Sequence, residues 1–394
     1  MISHIDFKEI QAQTTPYPFL IEVDRAEGSY IYSKDGKKYL DMIAGVAVNN
    51  IGHNHPKVIN AIVNQVNRHL HVMVYGEFIQ QSQFLFAQKL ISLLPPQLNC
   101  VYTVNSGTEA NEGALKLAKR ITNRHEIISC YGAYHGSTHG SLSVSGNESK
   151  KAPFRPLLPG IKRIRHNAIQ DLKYITDQTA CVILEPIQGD AGVRSADNNY
   201  LKALRERCSK TGAQLIFDEI QCGMGRTGKL FAFEHSGVAP DILTLGKALG
   251  GGMPIGAFIS SQAKMKLLTE NPMLGHITTF GGHPVNCAAG LACLEVLSNE
   301  IDFAEVEQKG AYIEKNIACL KKVIGFRRKG LMIAIDLKTN QEVERIVKRC
   351  LEKEIITFWF LSHPNSFRLS PPLNISWTEI EKATEVISKI IQES

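Results

Sequence analysis

From about residue 56 to 290, short runs that are apolar throughout alternate with stretches of helical patterning. The runs are Cys100–Val104, Ile127–Cys130, Ala180–Leu184, Leu215–Phe217 and Ile242–Leu245. Between them lie helical patterns such as Glu112–Arg120 and Tyr200–Lys210. A strand without a polar side must be covered on both faces, and helices between successive strands supply that cover. The pattern predicts an α/β fold with a large, mostly parallel sheet. It also says where a site belongs, because such sheets collect ligands beyond the carboxyl ends of their strands.

The flanks are different. Residues 1 to about 45 read as short extended pieces, with Gly28–Ser33 alternating and Lys34-Asp35-Gly36-Lys37 as a turn. After about 290, helical stretches surround the strand-like Gly330–Leu337, and a helix from about 377 closes the chain. This predicts a large domain over 51–290 and a smaller α+β domain over 291–394, joined by the N-terminal segment 1–50. With 44% hydrophobic and 21% charged residues, disorder and coiled coil are excluded as the main state. The formal charge of +6 over 394 residues is too thin for a nucleic-acid footprint. Lys162-Arg163-Ile164-Arg165 and Arg327-Arg328-Lys329 read as solvated surface. The nine cysteines form no C-x-x-C pair and often sit in apolar runs, as buried reduced thiols do. Met1–Asp6 shows no leader pattern and no run reaches membrane length, so the expectation is a cytoplasmic protein without membrane or nucleic-acid partners.

Three strand ends carry candidate chemistry. After Val104 comes Asn105-Ser106-Gly107-Thr108-Glu109, where Ser106 and Glu109 have capping-box spacing and a helix start offers free N–H groups to a phosphate. After Phe217 comes Asp218-Glu219. The following Gly223–Lys229 has most of a phosphate-loop spacing, but Leu230 stands where a Mg²⁺-binding Ser or Thr is required, and the loop follows the acidic strand rather than preceding it. After Leu245 comes Gly246-Lys247, then Gly250-Gly251-Gly252; a lysine desolvated there has a lowered pKa and suits a Schiff base. Each feature alone has an ordinary structural explanation. Together, a phosphate site, a strand-end acid and a desolvated lysine are what pyridoxal 5'-phosphate needs, with an aromatic residue from Tyr131–Gly136 to stack on its ring. His53 and His55 lack a third ligand and read as structural rather than metal-binding.

The chain resembles the class-III (ornithine and ω-amino acid) aminotransferases of the type-I pyridoxal-phosphate fold. The resemblance runs almost end to end, through Gly52-His53-Asn54-His55-Pro56, Asn105–Glu112, Tyr134-His135-Gly136, Glu185–Gly192, Asp218–Gly228, Gly246–Gly252 and Thr278–Pro284. It implies that Lys247 bonds the cofactor and then shuttles the proton, and that Asp218 pairs with the pyridine nitrogen. It further implies that Gln221 lies near the ring hydroxyl, Gly107 and Thr108 hold phosphate, and Tyr134 stacks, with His135 and Glu185 among the cofactor contacts. Thr279 resembles a threonine that reaches the neighbouring subunit's phosphate, which implies a homodimer with shared sites.

For substrate, Arg368 in Phe367-Arg368-Leu369 matches the family's carboxylate-gripping arginine, and Asp190 stands where relatives pair a Glu with it. Val46 occupies a position that is aliphatic in acetylornithine enzymes and Tyr in ornithine enzymes, and Thr278 is placed beside the substrate. Ser137 replaces an Arg that binds a substrate carboxylate, and Arg155 or Lys150 would have to substitute. The implied reaction moves an ω-amino group from N-acetylornithine or ornithine to 2-oxoglutarate. The alternative donor is an ω-amino acid or amine such as 4-aminobutyrate or β-alanine, with 2-oxoglutarate or pyruvate as acceptor.

Overall fold

The computed structural model describes residues 4–394; Met1–Ser3 lie outside the described residues. Its centre is a seven-stranded sheet in the order Cys100–Val104, Gly256–Ser260, Ile242–Leu245, Gln214–Asp218, Thr179–Leu184, Glu126–Cys130, Ile161–Ile164. The last five are parallel to one another; Gly256–Ser260 runs antiparallel to both its neighbours. All five apolar runs are strands of this sheet. Three of them, at 179–184, 214–218 and 242–245, are buried at every position, as a sheet covered on both faces requires.

Two strands lie where the apolar pattern gave no signal. Ile161–Ile164 contains the basic cluster read as solvated surface. It is the edge strand of the sheet, and Lys162 bonds Glu126 of the adjacent strand. Charge on an edge strand discourages pairing with another chain. Gly256–Ser260 is short, begins with glycine, and is fully buried.

The N-terminal expectation needs one correction. His4–Ile10 is a helix, not an extended piece. The extended pieces begin at Val23–Glu27 and continue through Tyr30–Ser33 and Lys38–Asp41 as an antiparallel sheet. Its last strand pairs in parallel with Ile355–Ile356, so chain start and chain end share a sheet. A further antiparallel sheet has the order Gly325–Lys329, Met332–Asp336, Ser366–Leu369, Phe358–Trp359. Helices Asn340–Glu352 and Trp377–Glu393 each open with a full capping box, Thr339 with Glu342 and Ser376 with Glu379.

The helix Gly107–Thr122 lies across the central sheet with Ala110, Ala114, Leu117 and Ala118 buried. Its close approach depends on Gly113, where a Cβ would lie 2.3 Å from Phe258 Cε1. Gly113→Ala should therefore destabilise the protein by about 1–3 kcal/mol through overpacking. Denaturant unfolding would show it, and an unchanged midpoint would contradict this account of the packing.

Candidate active site

Asp218 ends the buried strand Gln214–Asp218 and is 3% exposed. Its Oδ2 accepts from Asn111 Nδ2 at 2.8 Å and from His135 Nδ1 at 2.7 Å, and its Oδ1 accepts from the Ile220 N–H at 3.1 Å. Asn111 also donates to the His135 carbonyl at 2.7 Å. Ile220 presses against the start of the helix Gly107–Thr122: a Cβ on Gly107 would lie 2.8 Å from Ile220 Cδ1. Gln221 turns the other way, and a Cβ on Gly189 would lie 2.3 Å from its Oε1.

Lys247 follows the strand Ile242–Leu245 and Gly246 in a left-handed conformation, φ 47°. For a side-chain-bearing residue that costs about 1–2 kcal/mol. Its ammonium has no hydrogen-bond or ion-pair partner among the described residues. Burial pushes its pKa below the ordinary lysine range, with Asp218 pulling it up and Arg368 pushing it down. A Cβ on Gly246 would lie 3.2 Å from the Gly107 Cα, so the lysine loop abuts the helix start backbone to backbone. The Ser106 side chain caps that helix by accepting from the Glu109 N–H. The expected capping box is half formed, because Glu109 reaches back to the Asn105 N–H at 2.7 Å instead of to Ser106. Thr108 Oγ1 meets Thr138 Oγ1 at 2.8 Å, which sets the phosphate candidate beside the 134–138 loop.

In that loop Tyr134 is 37% exposed, with its hydroxyl 3.2 Å from Ser137 Oγ. The Tyr134 N–H and the Gly189 N–H both donate to Glu185, at 2.9 and 3.0 Å. Glu185 thus ties the loop to the turn that carries Asp190. Burial raises its carboxyl to about 7; His135 opposes the shift and Asp218 adds to it. Asp190 Oδ1 accepts from Arg368 Nη2 at 2.9 Å, both residues being buried. The shorter Asp therefore reaches the arginine. Asp190 is itself held by the Leu361 N–H and the Ser362 hydroxyl. Phe360 lies under the guanidinium, 4.3 Å from its centre, and Arg368 Nε is buried without a partner.

Other expected residues sit farther from this centre. Val46 (φ 63°) belongs to a left-handed turn with Ala44, Gly45 and Ala47. The turn is clamped to the strand end beyond Arg368, where the Ser370 N–H donates to the Met42 carbonyl at 2.7 Å. Val46 packs on a small apolar cluster of Tyr39, Ile43 and Ile356. His53 bonds Asp41 at 2.8 Å, and Asp41 in turn accepts from the Ile43 and Ala44 N–H groups, a structural arrangement. Thr278 Oγ1 accepts from Asn105 Nδ2 at 2.9 Å. Thr279 is exposed, and among the described residues only its carbonyl is engaged, by His71. Arg155 is tied to Glu148 on the surface. No trio of metal-ligating side chains stands together among the described residues.

The geometry suits pyridoxal phosphate. The Gly107 and Thr108 N–H groups at the helix start lie outside the Ser106 cap, the lysine loop abuts that start at Gly246, and Ile220, which donates to the triply held Asp218 carboxylate, packs on Gly107. The comparisons agree. The family described as aminotransferase class-III matches residues 11–391. The chain is a class-III aminotransferase.

Within this family it is 41% identical to an acetylornithine aminotransferase of Methanocaldococcus jannaschii over 378 residues, 93% of this chain and 92% of that one. It is 38% identical to a putrescine aminotransferase of Pectobacterium atrosepticum over 388 residues, 93% and 82% of the two chains. Its fold superposes on the ornithine aminotransferase of Toxoplasma gondii with TM-score 0.92 at 29% identity, covering 100% and 96%. Members of the family depend on pyridoxal phosphate, and so does this transaminase.

Sequence reasoning about this aminotransferase passed over Asn111 and Thr244. The hydroxyl of Thr244 donates to Asn111 Oδ1 at 2.8 Å, and both residues are fully buried. A polar residue in the middle of an apolar strand, as in Ile242-Leu243-Thr244-Leu245, is the signal that was there to use.

Glu185 gives a pH prediction. Its folded-state pKa lies above the ordinary 4.5, so its contribution to stability is present below about 4.5 and lost as pH rises through about 7. Between pH 5 and 8 the wild type should lose on the order of 3 kcal/mol relative to Glu185→Gln. Parallel slopes of unfolding free energy against pH would contradict it.

Proposed function

We propose that this aminotransferase moves an ω-amino group from an ornithine-like donor, N-acetylornithine ahead of free ornithine, to 2-oxoglutarate. The observation that carries the reading is the buried Arg368–Asp190 pair. A guanidinium fork matches the α-carboxylate of an oxo acid, and Asp190 occupies it when the incoming donor does not. The names of the relatives, three of them acetylornithine aminotransferases at 36–41% identity, support the donor.

In this reading pyridoxal phosphate supplies a ring that accepts electrons from the donor's amine-bearing carbon. Lys247 Nζ takes and returns the proton of that carbon, and its lowered pKa leaves the amine free to do so. Asp218 holds a proton on the ring nitrogen. Gly107 and Thr108 hold phosphate, Tyr134 covers the ring, and Gln221 lies toward the ring hydroxyl. His135 and Glu185 fix Asp218 and the Tyr134 loop respectively.

A second subunit belongs to the same proposal. Val72, Phe78, Ile79, Met273, Leu274 and Phe280 expose apolar surface, Ile79 at 99%, and Thr279 lies among them. Burying such a patch against another copy supports a homodimer in which Thr279 serves the partner's phosphate. The division near 50 and 290 into a large and a small domain is supported by the separate sheets. All nine cysteines are unpaired and seven are buried, which supports a cytoplasmic location; among the described residues no helix is long and apolar enough to cross a membrane.

Ser137 favours a second reading. It bonds Tyr134 where a carboxylate-binding arginine would stand, and Arg155 is engaged by Glu148. A donor such as 4-aminobutyrate, β-alanine or a simple amine, with pyruvate as a possible acceptor, fits that loss. One relative is named a putrescine aminotransferase.

A half-reaction separates the two. N-acetylornithine, added without oxo acid to protein loaded with pyridoxal phosphate, should bleach the visible band of the bound cofactor. Bleaching by 4-aminobutyrate, β-alanine or an amine alone would replace the first reading with the second. Lys247→Ala should abolish the conversion with every donor.

A further inference from the structure

The carboxylate of Asp218 accepts from Asn111, which is bonded in turn to Thr244. Asn111 is fully buried on the helix Gly107–Thr122, and its amide has a single workable direction. Its Oδ1 accepts from the Thr244 hydroxyl at 2.8 Å, while its Nδ2 donates both to Asp218 Oδ2 at 2.8 Å and to the His135 carbonyl at 2.7 Å. Turning the amide over would set an oxygen against a carboxylate and a carbonyl, and an NH₂ group against the donating hydroxyl. Thr244 in turn is held in register: it lies opposite Asp218 in the parallel pairing of the two strands, and its carbonyl accepts from the Glu219 N–H at 3.0 Å.

We propose that Thr244 and Asn111 are positioning residues that act as a relay. Thr244 donates to the Asn111 oxygen and holds the amide in place, and the amide sets the rotation of the Asp218 carboxylate toward the ring nitrogen of pyridoxal phosphate. The inference rests on the assignment of Asp218 to that nitrogen. The relay also couples two strand ends. Thr244 stands three residues before Lys247, so one hydrogen-bonded chain aligns the acid with the loop that carries the lysine.

The placement of the amide is what matters, so Thr244→Val, which keeps the shape and removes the hydroxyl, is the informative change. Leaving the buried Asn111 Oδ1 without its donor corresponds to about a ten- to hundredfold effect. In Thr244→Val the cofactor should dissociate about tenfold more readily in a titration of the cofactor-free protein. The midpoint of the pH titration of the loaded protein's visible band should move. kcat should fall about tenfold or more with little change in donor KM. Thr244→Ser, which restores the hydroxyl, should restore all three, and Asn111→Leu should reproduce the loss.

Wild-type cofactor affinity and titration in Thr244→Val would overturn the relay, as would a Thr244→Ser variant as impaired as the valine. Thermal unfolding of each cofactor-free variant identifies any loss that merely follows folding stability, and a loss of that kind alone also overturns it. Asp218→Asn separates the relay from its premise. If Asp218→Asn changes affinity and titration while Thr244→Val does not, only the relay fails. If Asp218→Asn changes neither, the assignment of Asp218 fails and the relay with it.

Discussion

The carboxylate of Asp218 is where four separate stretches of chain meet. It ends one strand, accepts from a helix through Asn111, accepts from the Tyr134 loop through His135, and is tied through Asn111 to the next strand at Thr244. A carboxylate buried to this degree is tolerated only when its oxygens are occupied by donors. Here the donors come from elements that the parallel sheet already brings side by side. The same bonds that satisfy the charge therefore align the helix Gly107–Thr122, the Tyr134 loop and the strand leading to Lys247. Function in this fold follows from meeting a burial requirement at one strand end.

The neighbouring charges follow a similar logic with a different purpose. Glu219 is wholly buried and caps the short helix at 232–235 by accepting from the Ala232 and Phe233 N–H groups. Burial raises its carboxyl to about 8, opposed by those two bonds. Arg226 is also wholly buried and has backbone partners at Leu331 and Pro371 plus Asn50. Burial lowers its pKa to about 9. Glu219 ties the start of the glycine-rich loop to the short helix at 232–235, and Arg226 ties the loop to the C-terminal region at Leu331 and Pro371 and to the N-terminal segment at Asn50. That loop, with the spacing of a phosphate cradle, is thus a structural joint. Arg368 and Asp190 are likewise brought together from 178 residues apart in sequence to 2.9 Å in space.

Much of this was legible in the sequence because burial on both faces leaves a plain trace. The runs at 100–104, 127–130, 180–184, 215–217 and 242–245 all became strands of one sheet. Lys247 and Asp218 stood out because a charge directly after such a run is expensive unless it is used. Other features left no local trace. Ile161–Ile164 reads as a charged surface because an edge strand has only one neighbour to satisfy. The helix His4–Ile10 is too short for its period to show. Asn111 and Thr244 lie inside regular elements, and their meaning depends on partners 107 and 133 residues away. Asp190 presented the opposite case: its place in the sequence suggested pairing with Arg368, and the two side chains meet at 2.9 Å.

The central claim is that Lys247 is the residue that bonds pyridoxal phosphate. Reducing the loaded protein with borohydride fixes the cofactor to the lysine that holds it, and mass spectrometry of a digest locates the modified residue. The account predicts a single pyridoxyl group on the peptide that contains Lys247. A label on another lysine, or none after loading, would contradict it.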